Sequence, residues 1–226
     1  MGFIVRLITV VLTSFLVVSS LVLLFIFKNP AKDYGQLIII HGPSSCGKSS
    51  TAKEVQNLLA EKGVPYMLIQ TDGLSSMLPK QWLNLDPQDS DFQNSKSKNG
   101  LQFVPGKDGN LSIEIGSVYR RMQDGIGPMV VGLLKTGNNV ILEGSLLVGN
   151  ARDLFEYLCQ YKPLVIHVAC PVEVAEQREV ERKGIKGLAR YQNNLPSVYP
   201  SNLNIDTSKI TSKEAAATIL QYISEV

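Results

Sequence analysis

Residues 36–49 read Gln36-Leu37-Ile38-Ile39-Ile40-His41-Gly42-Pro43-Ser44-Ser45-Cys46-Gly47-Lys48-Ser49, and Ser49–Lys62 continues with the spacing of a helix. A short apolar strand that enters a glycine-rich turn and leaves as a helix is the frame in which G-x-x-x-x-G-K-[ST] holds a phosphate. Gly42 and Gly47 let the backbone wrap an anion and present N–H groups to it. The helix N-terminus adds partial positive charge. Lys48 reaches the β- and γ-phosphates as a point charge, and the Ser49 hydroxyl suits Mg2+. Outside this frame the same residues are a glycine-rich turn with a solvated lysine; the flanking strand and helix argue against that. The residues expected to bind nucleotide here are Gly42, Pro43, Ser44, Ser45, Cys46, Gly47, Lys48, Ser49 and Ser50.

Outward from this turn the chain alternates between short β-like runs and longer helical stretches. Further strands are expected at Tyr66–Gln70, Asn139–Leu142, Leu164–Ala169 and Asn204–Ile205. Further helices are expected at Gly116–Thr136, Ala151–Tyr161, Val172–Lys183 and Ser212–Ser224. Strands alternating with helices of this length imply βαβ units, and so an α/β fold with a parallel five-stranded sheet and helices on both faces. Residues 84–110 depart from the pattern. They are polar, contain Gly100, Gly106 and Gly109, and read as a long loop that is either functional or mobile.

Other candidate residues fall where strands end. In open α/β sheets ligands bind beyond the carboxyl ends of the strands. Asp72 closes the second strand; there it either takes a proton from an acceptor hydroxyl or caps the segment that follows. Glu143 closes the run Val140-Ile141-Leu142. It either enters the Mg2+ shell through water, positions a nucleophile, or is an exposed strand-end glutamate. Arg178 and Arg182 are four apart and share a helix face. They either clamp phosphoryl oxygens beneath a lid around residues 183–201 or belong to a solvated surface with Glu179 and Glu181.

The chain has 226 residues, a net charge of +2 and 19% charged residues, a globular composition. Residues 7–27 contain no charged side chain. Such a run makes about 31 Å of helix, enough to cross a hydrocarbon core of about 30 Å. The alternative is a cleaved signal peptide, whose apolar core is shorter and ends at a small-x-small site. Here the run continues through Leu23-Leu24-Phe25-Ile26-Phe27 into Lys28. The expectation is therefore an uncleaved transmembrane anchor over 1–28 and a linker over 29–35. Residues 36–226 then form the catalytic domain. Setting aside Arg6 and Lys28 leaves 20 basic against 20 acidic residues, so the remainder is neutral and has no electrostatic reason to hold nucleic acid. Cys46, Cys159 and Cys170 are too few and too irregular for a disulfide framework or a zinc site, and read as reduced thiols. Reduced thiols and the need for ATP, with one basic residue before the span and two after it, place residues 29–226 in the cytoplasm.

The glycine-rich loop, TDGL at Thr71–Leu74, LLKTGNNVILEG at 133–144, EQREVER at Glu176–Arg182 and IDTS at Ile205–Ser208 together resemble the chloramphenicol phosphotransferase-like family. The resemblance runs from Gln36 to the C-terminus. It implies the P-loop kinase fold of shikimate and nucleotide kinases, with ATP and Mg2+ as cofactors. It also implies phosphorylation of a hydroxyl on a small-molecule acceptor. By the same resemblance Asp72 matches the general base and Arg178 and Arg182 match phosphate-facing arginines. Asp206 and Thr207 match a segment beside the nucleotide base. Two readings from other classes stay open on the sequence alone, a nucleotide-binding regulatory module and an NTP hydrolase. A guanine-selecting Asn/Thr-Lys-x-Asp stretch is not in the sequence.

Overall fold

A computed structural model describes residues 34–87, 97–105, 111–145, 151–197 and 199–225. The fold is built from Gly35 onward. Strand β1 (Leu37–His41) and helix α1 (Lys48–Glu61) flank the glycine-rich turn. Strand β2 (Tyr66–Gln70) runs directly into the short helix α2 (Thr71–Ser75). Next come β3 (Leu83–Asn84), β4 (Leu101–Pro105), β5 (Leu111–Ile115) and the long helix α3 (Ser117–Lys135). Then follow β6 (Asn139–Gly144), α4 (Ala151–Cys159), β7 (Leu164–Ala169) and α5 (Val172–Glu181). The last elements are α6 (Leu188–Asn193), β8 (Leu203–Asp206) and α7 (Ser212–Glu225).

The main sheet is parallel with the strand order β2-β6-β1-β7-β8. All five residues of β1 are buried, as a central strand covered on both faces requires. Alternation sends Ile38 and Ile40 to one face, against Ala52, Val55 and Leu59 of α1 and Ala215 and Ile219 of α7. It sends Leu37 and Ile39 to the other, against Ile126, Val130 and Leu134 of α3 and Leu158 of α4. Helix α7 starts on a reciprocal cap: the Thr211 N–H donates to Glu214 Oε2 at 2.7 Å, and the Glu214 N–H donates to Thr211 Oγ1 at 3.2 Å. The register pairs His41 with both Gly144 and His167, Gln70 with Glu143, and Ala169 with Asp206. The carboxyl ends of the strands therefore form one edge, and the segments leaving them converge there.

Two expectations are corrected. The stretch expected as a polar loop over 84–110 contains β4, which joins β3 at its start and β5 just beyond its end in a small second sheet. Leu101 opposes Ile115 and Phe103 opposes Ile113, so one face of this sheet is apolar and packs with Tyr119 of α3. The other correction concerns the membrane. Among the described residues no helix is long and apolar enough to cross one. The longest, α3, carries the exposed charged side chains Arg120, Arg121, Asp124 and Lys135. The span expected at 7–27 lies outside the described residues. Among the described residues no helix supports the single-pass anchor or the expected membrane localisation with a cytoplasmic domain.

Candidate active site at the carboxyl edge of the sheet

The glycine-rich loop leaves β1 as a strained turn. Gly42 has φ 145°, and a Cβ there would lie 1.9 Å from the Val168 carbonyl oxygen of the neighbouring strand. Gly47 has φ 83° and starts α1 in the left-handed region. Only glycine meets the first condition, and glycine meets the second without cost. Ser45 also has positive φ, at 62°. The loop thus curls around its own backbone N–H groups.

Lys48 and Glu143 are both buried, at 6% and 2% exposure. Lys48 Nζ donates to the Pro43 carbonyl at 2.7 Å, bridging the loop. Burial draws the Lys48 ammonium below the usual lysine range, and the carboxylates of Glu143 and Asp72 oppose that pull. Glu143 lies within β6 rather than at an exposed strand end. Its Oε1 accepts from Ser49 Oγ at 3.1 Å and its Oε2 accepts from Gln70 Nε2 at 2.9 Å. A buried carboxylate next to a loop hydroxyl is the donor set Mg2+ takes from a protein when phosphates and water supply the remaining oxygens. Among the described residues no group of three His, Cys, Asp or Glu makes a self-sufficient metal cage.

Asp72 sits in the first turn of α2, whose N-cap is Gln70 and carries no side-chain cap hydrogen bond. It lines a cavity of about 360 Å3 together with Ser44 and Arg182. Leu101, Phe103, Ile113 and Ile126 form apolar walls of the cavity. Ser75 and Tyr119 add a polar spot to its lining, their hydroxyls 2.6 Å apart. The β4–β5 sheet that the sequence concealed is therefore one wall of the site.

The two arginines diverge. Arg182 donates to Ser44 Oγ at 2.8 Å, reaching the glycine-rich loop. Arg178 turns to Thr207, donating to Oγ1 at 3.2 Å and to the carbonyl at 2.7 Å. Thr207 Oγ1 in turn donates to the Cys46 carbonyl at 2.8 Å, so the segment after β8 is fastened to the loop. Asp206 points outward and accepts from the Ser208 N–H at 2.8 Å. That bond, with the Ser208 side chain, holds its carboxyl below the usual range. The Cys46 and Cys170 sulfurs are 3.2 Å apart behind the loop. Burial and this contact push the Cys46 thiol up to about 12, which keeps it protonated. Gln70, Ser75, Tyr119 and Gln192 were not candidates from the sequence. Each is an ordinary polar residue in its stretch, and only the fold brings it to the site.

His41, the last residue of β1, is fully buried and stacks on His167 with ring centroids 4.9 Å apart. Burial, then His167 and Lys48, draw its pKa down to about 3. Its folded pKa lies below the unfolded value of about 6.5. The unfolded state therefore binds the extra proton between these values, and stability falls as pH drops through that window. We expect the melting temperature to decline below about pH 6.5, and a His41→Gln variant to show a shallower decline. A variant with the same pH dependence as the parent would remove His41 from this role.

The chain belongs to the chloramphenicol phosphotransferase-like family, whose model matches residues 35–224. Solved structures with the same fold include several kinases. The APS kinase of Mycobacterium tuberculosis, in complex with AMPPNP and APS, is 16% identical with a TM-score of 0.53, over 85% of this chain and 99% of that one. A sugar kinase from Janibacter sp. HTCC2649 is 15% identical with a TM-score of 0.57, over 84% and 95%. The shikimate kinase of Acinetobacter baumannii, in complex with shikimate, is 18% identical with a TM-score of 0.51, over 86% and 96%. No curated protein matches the sequence. The architecture is thus that of a P-loop kinase, with its five-stranded parallel sheet between helices.

Proposed function

We propose that this chain transfers the γ-phosphoryl group of ATP to a hydroxyl of a neutral, largely apolar small molecule. The observation that carries this reading is one cavity lined at once by Ser44 of the glycine-rich loop, by Asp72 and by Arg182. Bound ATP–Mg2+ supplies the phosphoryl donor and the divalent charge. Gly42–Ser50 wrap the phosphates, and Lys48 meets their oxygens with a buried positive charge. Ser49 and Glu143 provide the protein oxygens for Mg2+. Asp72 accepts the hydroxyl proton as the acceptor oxygen attacks. Arg182, reaching in from beyond α5, neutralises charge that grows on the transferring group. Arg178 acts one step back, holding Thr207 against the loop. The acceptor class follows from the walls: Leu101, Phe103, Ile113 and Ile126 favour an apolar body, and Ser75 with Tyr119 offer one polar contact.

The test follows labelled γ-phosphate in a library of hydroxyl compounds graded by polarity and charge. Transfer to neutral apolar alcohols supports the proposal. Release to water alone would point to an NTP hydrolase, and nucleotide binding with neither outcome to a regulatory module. The arginines separate in the same assay. We expect Arg182→Ala to lower turnover about ten- to 150-fold with little change in ATP affinity, because a charged hydrogen bond of this kind is worth about 1.5–3 kcal/mol. Arg178→Ala should instead weaken ATP binding, since it frees the Thr207 segment. Unchanged turnover in the Arg182 variant would return that residue to the solvated surface.

A further inference from the structure

Strands β2 and β6 run side by side to the end of β2, and their register sets Gln70 directly opposite Glu143. The chains are close where this pairing stops. Gly144 has no side chain, and a Cβ there would lie 2.0 Å from Thr71 Oγ1. The missing Cβ lets β2 keep its register up to the turn into α2. Glu143 is buried, so the oxygens of its carboxylate need partners. Oε2 accepts from Gln70 Nε2 at 2.9 Å, and Oε1 accepts from Ser49 Oγ at 3.1 Å. The two oxygens thus have different neighbours. Oε2 is tied to the edge strand, and Oε1 faces the start of α1.

The residue opposite a buried carboxylate is chemically constrained. A second acid there would repel Glu143, and an apolar residue would leave Oε2 without a donor. A neutral amide does neither, since it donates without adding charge. We propose that Gln70 is a positioning residue for the divalent cation: its amide fixes the rotation of the Glu143 carboxylate, so that Oε1 stays beside Ser49 as a ligand oxygen. The inference rests on the phosphotransferase reading above, which gives Ser49 and Glu143 to Mg2+. Magnesium demands near-ideal octahedral geometry, so a ligand free to turn holds it poorly. Partners behind a metal ligand supply this constraint, and Gln70 acts only through Glu143.

The test titrates ADP into the full chain by calorimetry at graded Mg2+ concentrations. Gln70→Met keeps the length of the side chain and offers no donor. It should need about ten- to 100-fold more Mg2+ for the same gain in ADP affinity, the usual cost of removing the partner behind a metal ligand. Its ADP affinity without Mg2+ should match that of the parent. Gln70→Asn, whose amide is one methylene short of Glu143, should show the same loss. In a Glu143→Gln background, Gln70→Met should raise the Mg2+ requirement by less than about twofold, because both residues act through one carboxylate. A merely structural Gln70 gives a different pattern: a lower melting temperature, weaker ADP binding with and without Mg2+, and an unchanged Mg2+ requirement. That pattern overturns the proposal, as does a full additive loss in the Glu143→Gln background. A parent that binds ADP equally well with and without Mg2+ would take Glu143 away from the cation, and this inference with it. A parent that binds no ADP at all would overturn the phosphotransferase reading itself.

Discussion

Lys48→Ala is expected to lower ATP affinity by about tenfold or more and turnover by a further 10²–10³-fold. These magnitudes are those for deleting a charged hydrogen-bond donor and one preorganised electrostatic contact. Lys48 is buried and faces the carboxylates of both Glu143 and Asp72. Its removal therefore does more than subtract one attraction to phosphate. Two acidic groups lose the positive charge that opposes them, and the loop meets an anion with a negative local field. The Pro43 carbonyl also loses its Nζ donor, loosening the turn between β1 and α1. Lys48→Arg keeps the charge but not the compact ammonium, and should recover affinity better than turnover. Calorimetry with ATP–Mg2+ and steady-state transfer on the two variants, with circular dichroism to follow the fold, make the comparison. A folded Lys48→Ala protein with parental affinity and turnover would remove the glycine-rich loop from phosphate binding.

That loop was legible because its signal is local: a strand, two glycines at set positions, a lysine and a helix, all within one short stretch. The main strands were legible for a similar reason. Their apolar runs are continuous because both faces of the sheet are covered, as the burial of every β1 residue demonstrates. The small sheet was not. Leu111, Ile113 and Ile115 alternate with Ser112 and Glu114, the pattern of a strand covered on one face, whereas in β4 the polar Gln102 between Leu101 and Phe103 is buried as well, so its run reads as neither pattern. Surrounding glycines and polar residues diluted that pattern below recognition. Its consequence is functional, since this sheet walls the cavity. The contact of α6 with the glycine-rich loop was invisible for another reason: Gln192 meets Ser44 across 148 positions of sequence. No local rule pairs them. The arginines stand between these cases. Their shared helix face was readable, but one turns to Thr207 and the other to Ser44, and only the packing of β8 and the loop distinguishes them.

Asp72→Asn is expected to cut phosphoryl transfer by about 10²–10⁴-fold while leaving ATP affinity close to that of the parent, the range typical of losing a general base. The two readings of this residue, base or helix cap, make different demands on the local structure. A cap would sit just before α2 and accept a hydrogen bond from its first N–H groups. Instead Gln70 holds that position without a side-chain cap, and Asp72 lies inside the first turn with its place in the cavity lining. Asparagine preserves the shape and a hydrogen-bonding oxygen, so a structural role would survive the change. A proton acceptor would not. Cutting the charge should also act on Lys48, which loses one of the two carboxylates that favour its charged form. A modest loss of nucleotide affinity is compatible with this, but a loss as large as that in turnover is not. The decisive measurement is single-turnover transfer to an acceptor found in the library, for parent and variant, beside their ATP affinities. If Asp72 is the base, the variant loses the rate while its ATP affinity stays near that of the parent. Near-parental turnover in the variant would move the base elsewhere among the polar groups of the cavity, with the Ser75–Tyr119 pair the next to examine.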